Sequence, residues 1–207
     1  MSIPKPPPTF KTRDPSEPGF WDERFEQAFI PWDKGGVPQA LQDYLAQATP
    51  VATLIPGCGT GYEVAYMSEA GWDVTAIDFS AAAVSAAQAV LGRWAGRVLQ
   101  ADFFTFEPAT PVELIYERAF LCALPPDKRP AIVQRWAELL APGATLAGFF
   151  FFGDGPKGPP FGIARAELER LLRPYFELID DQPVADSMEV FVGKERWQVW
   201  RRRTTGC

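Results

Sequence analysis

The stretch Val51-Ala-Thr-Leu-Ile-Pro-Gly-Cys-Gly-Thr-Gly-Tyr62 joins an apolar, β-rich run (Val51 to Ile55) to a glycine-rich turn, and Glu63 to Ala70 continues with helical composition. Strand, loop and helix follow in that order. Glycines at 57, 59 and 61 permit positive φ and let backbone N–H groups approach a ligand at the electropositive start of the helix. The spacing is G-x-G-x-G, and Tyr62 occupies the place where a dinucleotide fingerprint has its third glycine or alanine. A pyrophosphate ligand is therefore disfavoured. Trp72 to Asp78 is a second strand, closed by an acid suited to accept from ribose hydroxyls. The pair implies a nucleoside ligand without a diphosphate.

Strand and helix alternate beyond this point. Strands are expected at Val74 to Ile77, Arg97 to Ala101, Glu113 to Tyr116 and Thr145 to Phe152, with helices at Ser80 to Gly92 and Asp127 to Leu140. A helix from Ala164 to Leu172 precedes strands Phe176 to Asp180 and Arg196 to Arg202. This pattern predicts an α/β, Rossmann-like, mainly parallel seven-stranded sheet with helices on both faces and a C-terminal antiparallel hairpin. Ligands of such sheets lie beyond the carboxyl ends of the strands, where Gly57, Asp78, Asp102 and Arg118 fall.

Several function classes are excluded by what the chain lacks. Its 207 residues contain no histidine, which removes Ser-His and Cys-His nucleophile pairs and the commonest catalytic metal ligand. No carboxylate cluster replaces it, so no metal is expected. A net charge of -6 disfavours a nucleic-acid partner. The absence of a long apolar run and of a signal-peptide core predicts a cytoplasmic protein without a membrane partner. Cys58, Cys122 and Cys207 lack metal-ligand spacing and read as unpaired thiols in a reduced compartment. A helix N-terminus could lower the thiol pKa of Cys58 and make it look like a nucleophile.

Residues 1–18, rich in proline, are expected to form a flexible arm, and residues 19–207 a single domain. Phe20, Trp21, Phe25, Ala28 and Phe29 then recur at helical spacing up to Pro31, and Trp32 follows in a loop. Such a stripe suits either a core face or a lid over the glycine loop.

Trp21 with Pro31-Trp-Asp-Lys-Gly35, Leu54-Ile-Pro-Gly-Cys-Gly59, Ala101-Asp-Phe-Phe104, Leu114-Ile-Tyr-Glu-Arg118, Cys122-Ala-Leu-Pro-Pro126 and Gly158-Pro-Pro-Phe161 resemble the S-adenosylmethionine-dependent methyltransferases of the thiopurine S-methyltransferase family and the plant thiol and halide methyltransferases. The resemblance runs from about Phe20 to Arg202. It implies S-adenosylmethionine as methyl donor, with S-adenosylhomocysteine as product, and a small soft acceptor: a thiol, thiopurine, selenium species or halide. Gly57 and Gly59 would pack on the methionyl part and ribose, Asp78 would take the ribose hydroxyls, and Asp102 with Phe103 would hold the adenine. Trp21, Phe25 and Trp32 would cover the sulfonium. Arg118 would serve the donor or the reacting acceptor, and Phe29, Phe120 and Phe161 would border the acceptor. The plant relatives usually carry tryptophan at the position of Phe25 and tyrosine at that of Arg118, where the thiopurine-type enzymes have arginine, so the chain mixes features.

Other readings remain open on residues alone. Asp78 and Asp102 could be strand-end acids that cap the helices following them, with Ser80 sharing the task. Arg118 could pair with Glu117 or Asp127. A nicotinamide-dependent oxidoreductase and a non-catalytic donor-binding module are the alternative functions. The expected enzyme is a monomer acting on a small molecule.

Overall fold

Seven strands form one sheet in the computed structural model, which describes residues 8–153, 155 and 157–204. Cys207 and residues 1–7 of the expected arm lie outside the described residues. In chain order the elements are α1 (Pro18–Glu26), α2 (Gln39–Leu45), β1 (Ala52–Pro56), α3 (Tyr62–Glu69), β2 (Asp73–Asp78), α4 (Ala81–Leu91), β3 (Val98–Gln100) and β4 (Val112–Arg118). They continue with α5 (Arg129–Leu139), β5 (Leu140–Phe151), α6 (Arg165–Leu172), β6 (Phe176–Pro183) and β7 (Glu195–Arg202). The strand order is β3-β2-β1-β4-β5-β7-β6. Contacts from β3 through to β5 are parallel, and β7 runs antiparallel to both neighbours. From β1 the chain goes outward to β2 and β3 on one side and returns to β4 on the other. That reversal opens a crevice above the carboxyl ends of β1 and β4.

Side chains alternate between two apolar cores, as the period of a strand requires. Leu54, Ile115, Phe150 and Trp200 join Trp136 in one cluster, while Ile55, Tyr116, Phe149 and Trp197 join Met67 in the other. Both faces of the central strands are thus covered. The expectation of a mainly parallel α/β sheet with a C-terminal antiparallel hairpin holds, β6 and β7 forming that pair.

Local boundaries depart from the sequence pattern where backbone geometry overrides periodicity. α1 ends at Glu26 because Ala28 takes φ 51 and the N–H groups of Ala28 and Phe29 turn back to Phe25 and Arg24 carbonyls. Phe29 therefore projects from a loop. The helix expected from Asp127 begins as a 3-10 turn at Pro126–Lys128 and becomes α5 at Arg129, with Pro130 in the first turn where its missing N–H costs nothing. β5 starts directly at Leu140, and a register shift against β4 between Val112 and Leu114 absorbs the irregularity.

Gly148 of β5 sits opposite Glu117 of β4, and a Cβ there would fall inside the Glu117 carbonyl group. Only glycine allows the two strands to approach so closely. Gly148→Ala is expected to cost about 3 kcal/mol, the upper range for overpacking, and so to lower the melting temperature by roughly 6 to 12 °C. An unchanged melt would show that the strands separate at no cost.

Candidate active site

The glycine turn is built from three left-handed residues, Gly57 (φ 60), Gly59 (φ 53) and Gly61 (φ 71). A Cβ on Gly57 would stand 2.6 Å from the Phe120 ring, so the loop lies flat on that ring. Gly61 is the N-cap of α3. Asp78 ends β2 beside the loop: its Oδ2 accepts from the Gly59 N–H at 3.1 Å and its Oδ1 from the Ser80 N–H at 2.9 Å. Burial pushes the Asp78 carboxyl up to about 6, against the pull of these two amides, and the nearby Asp22 carboxylate adds to the rise.

Gly57, Gly59 and Asp78 line a cavity of about 750 Å³. Asp102 and Phe103 form another part of its wall, and Arg118 and Phe120 a third. Over them stand Trp21, Phe25, Phe29 and Trp32. Trp21 and Trp32 meet edge to face at 5.4 Å, Phe25 and Trp32 at 6.1 Å. The structure brings together every singled-out residue except Phe161. That ring packs on Gly158 and its N–H donates to the Cys122 carbonyl, leaving Gly158, Pro159 and Pro160 at the cavity wall in its place.

Of Asp78, Asp102 and Ser80, helix capping falls to Ser80 alone, while the two acids each accept from the amide two residues on, in the turn after the strand. Asp102 Oδ1 accepts from the Phe104 N–H at 2.9 Å, and Ser80 Oγ caps α4 by accepting from the Ala83 N–H at 3.1 Å. Arg118 pairs with neither Glu117 nor Asp127. Its Nη1 donates to Glu63 Oε1 at 2.6 Å and to the Gly36 carbonyl at 3.3 Å. Burial alone would lower the guanidinium, but the Glu63 charge outweighs it and holds Arg118 above its ordinary value. Side chains alternate along β4, so Glu117 leaves on the opposite face. Cys58 is raised well above the usual thiol range by burial, with Asp78 and Glu63 adding to the effect, which makes it a packing residue of the loop and a poor nucleophile.

Sequence reasoning missed the polar links that tie the arm to the body. Asp22 of α1 reaches the start of α4, where its Oδ1 accepts from Ser80 Oγ at 2.6 Å and the Ala82 N–H at 3.0 Å. Asp33 Oδ2 accepts from Thr60 Oγ1 of the glycine loop at 2.5 Å. Lys34 pairs with Asp186 at 3.0 Å. Within the arm, the Lys11 and Thr12 N–H groups donate to Glu23, and Trp21 Nε1 donates to the Pro15 carbonyl. None of these partners is signalled by local periodicity; the only hint is the unusual density of acids in an aromatic segment.

A glycine turn at the end of β1, an acid at the end of β2 and an aromatic cover form one cavity of the kind a methyltransferase needs for its donor. The solved structure of 1,6-didemethyltoxoflavin-N1-methyltransferase from Burkholderia thailandensis shares the fold, with a TM-score of 0.74 at 19% identity over 95% of this chain and 93% of that one. Among curated proteins, probable thiol methyltransferase 2 of Arabidopsis thaliana is 32% identical over 90% of this chain and 86% of its own length. Thiocyanate methyltransferase 1 of Brassica oleracea is 29% identical over the same shares. The thiopurine S-methyltransferase family matches residues 16–204. The chain belongs to that family and is an S-adenosylmethionine-dependent methyltransferase. The residues present fit this donor: the cavity wall joins the glycine turn at the start of α3 to the buried Asp78 carboxylate, an acceptor of the kind that ribose hydroxyls need. Among the described residues, no helix is long and apolar enough to cross a membrane.

Proposed function

We propose that this enzyme methylates a small soft nucleophile, a thiol, thiopurine, selenium species or halide, in the part of the cavity bordered by Phe29, Arg118, Phe120 and Gly158 to Pro160. The observation that carries the reading is an aromatic enclosure continuous with the donor cradle, walled by Phe29 and Phe120 beside the Arg118 guanidinium. Histidine is absent, and burial raises Cys58 and Cys122 well above their usual range. The named acceptors of two relatives, a thiol and thiocyanate, agree with it.

S-adenosylmethionine supplies a sulfonium methyl that is already electrophilic, so the chain's task is to align and desolvate the acceptor. Asp78 accepts from the ribose hydroxyls, while Asp102 and Phe103 hold the adenine. Trp21, Phe25 and Trp32 turn aromatic faces and edges towards a cationic centre, an attraction of roughly 0.5 to 2 kcal/mol per contact. Arg118 cancels the Glu63 charge at the cavity wall and keeps the acceptor end hospitable to anions. Free Cys58 and Cys122 support a reducing, cytoplasmic setting.

A screen of methyl transfer to thiols, thiopurines, hydrogen sulfide, selenium species and iodide tests the reading. Efficient transfer to a catechol or an amine, with none to these acceptors, would overturn it. Arg118→Met leaves the buried Glu63 carboxylate uncompensated, so kcat/KM for iodide and thiolates is expected to fall roughly tenfold more than for a neutral acceptor. Adding Glu63→Gln removes the stray charge and should close most of that gap. Equal losses for anionic and neutral acceptors would take Arg118 out of acceptor selection.

A further inference from the structure

Among the described residues, Glu117 is the buried acid that the reaction leaves without a task. It departs from the end of β4 on the face away from Tyr116 and Arg118 and is not part of the cavity wall. Its Oε1 accepts from the Leu121 N–H at 2.7 Å, whereas Oε2 is buried with no partner. Between strand end and amide the chain reverses at Ala119, held at φ 59, a conformation that a residue with a Cβ seldom adopts. The far side of this turn is site wall: Ala119, Phe120 and Cys122 line the cavity. Phe120 lies under Gly57 and stacks edge to face on Phe103 at 4.9 Å.

We propose that Glu117 is a positioning residue of the donor site: by bridging from the end of β4 to the Leu121 amide, it holds the Ala119 turn that presents Phe120 to the glycine loop. The inference rests on the reading of this cavity as the S-adenosylmethionine site. Burial pushes the Glu117 carboxyl up to about 8, the Leu121 and Phe120 amides pull it down, and Glu195 at the start of β7 raises it further. Among the described residues, no lysine or arginine pairs with it. The Cys122 thiol is held neutral by burial, Gly148 of β5 has no side chain, Arg118 is engaged by Glu63 on the opposite face, and Arg129 of α5 is paired with Glu167. At neutral pH the bridge is a protonated carboxyl. Raising the pH through about 8 adds a buried negative charge near Glu195 and loosens the turn.

The test is S-adenosylhomocysteine binding by calorimetry across neutral to alkaline pH in the full-length protein, Glu117→Gln and Glu117→Ala. Wild type should lose affinity by about tenfold through the ionisation of Glu117, the effect of one unit of differential protonation. Glu117→Gln keeps an acceptor for Leu121 and cannot ionise, so it should rescue binding and show no such fall. Glu117→Ala should bind weakly at every pH. Ionisation of the ligand's own amino group affects all proteins alike, so the difference between wild type and Glu117→Gln is read. Coincident pH profiles for those two, or wild-type affinity in Glu117→Ala, would overturn the proposal even if the alanine variant alone misfolds. Failure of all proteins, wild type included, to bind at any pH would instead overturn the donor-site reading beneath it.

Discussion

Asp78→Asn is expected to melt at a higher temperature than the wild type at neutral pH and yet to bind S-adenosylmethionine roughly 30- to 100-fold more weakly. The weaker binding follows from charge: a carboxylate bond to a ribose hydroxyl contributes about 1.5 to 3 kcal/mol, a neutral amide oxygen roughly 0.5 to 1.5, and one acceptor is lost. The gain in stability follows from linkage. Asp78 has a folded-state pKa raised from 3.8 to about 6, so its contribution is fully present below its ordinary value and lost as pH rises through about 6. Ionising it in the folded protein at neutral pH costs on the order of 3 kcal/mol, and asparagine avoids that cost while still accepting from Gly59 or Ser80. The wild-type site should also lose donor affinity below about pH 6, where the carboxyl takes up its proton, and the variant should not. Calorimetry and thermal melts on the two proteins check both halves. Undiminished binding by Asp78→Asn would remove Asp78 from the donor site, and a lower melt would show that the ionised carboxylate is stabilising.

What could be read from the residues was whatever local geometry dictates. Gly57, Gly59 and Gly61 announce a turn because their positive φ values are costly for other residues, and Asp78 marks a strand end because apolar alternation stops there. The aromatic spacing from Phe20 to Phe25 found α1, although the left-handed Ala28 ended the helix before Phe29. Partners far apart in sequence were out of reach. Nothing near Arg118 points to Glu63 on α3, because strand alternation turns the adjacent Glu117 to the other face and only the β1 to β4 crossover brings Glu63 close. Asp22 is a comparable case: caps are sought within a few residues of a helix start, and this one crosses from α1 to α4. Phe161 was misjudged for a related reason. A loop of glycine and proline gives no period from which to tell which side of it faces the cavity, and here Gly158 to Pro160 face it while the ring packs behind.

Removal of residues 1–33 is expected to leave a folded domain that has lost turnover by a factor of roughly a thousand or more, since alignment and exclusion of water carry most of the barrier reduction in such a transfer. Folding should survive because both apolar cores are assembled from Val37 onwards and Phe20 belongs to neither. Chemistry should not, because four aromatic walls of the cavity leave together: Trp21, Phe25, Phe29 and Trp32. The deletion also removes Asp22 from the start of α4 and Asp33 from Thr60, so the helix and the glycine loop each lose an arm partner. A milder variant separates latching from covering. Asp22→Ala with Asp33→Ala keeps every aromatic side chain but releases both polar links, and it should raise the KM for the donor more than it lowers kcat, as a lid that closes less often requires. Circular dichroism, a thermal melt and steady-state assays decide the matter. A truncated protein that methylates as fast as the full chain would show the arm to be dispensable, and one that no longer folds would assign α1 to the core rather than to the cover.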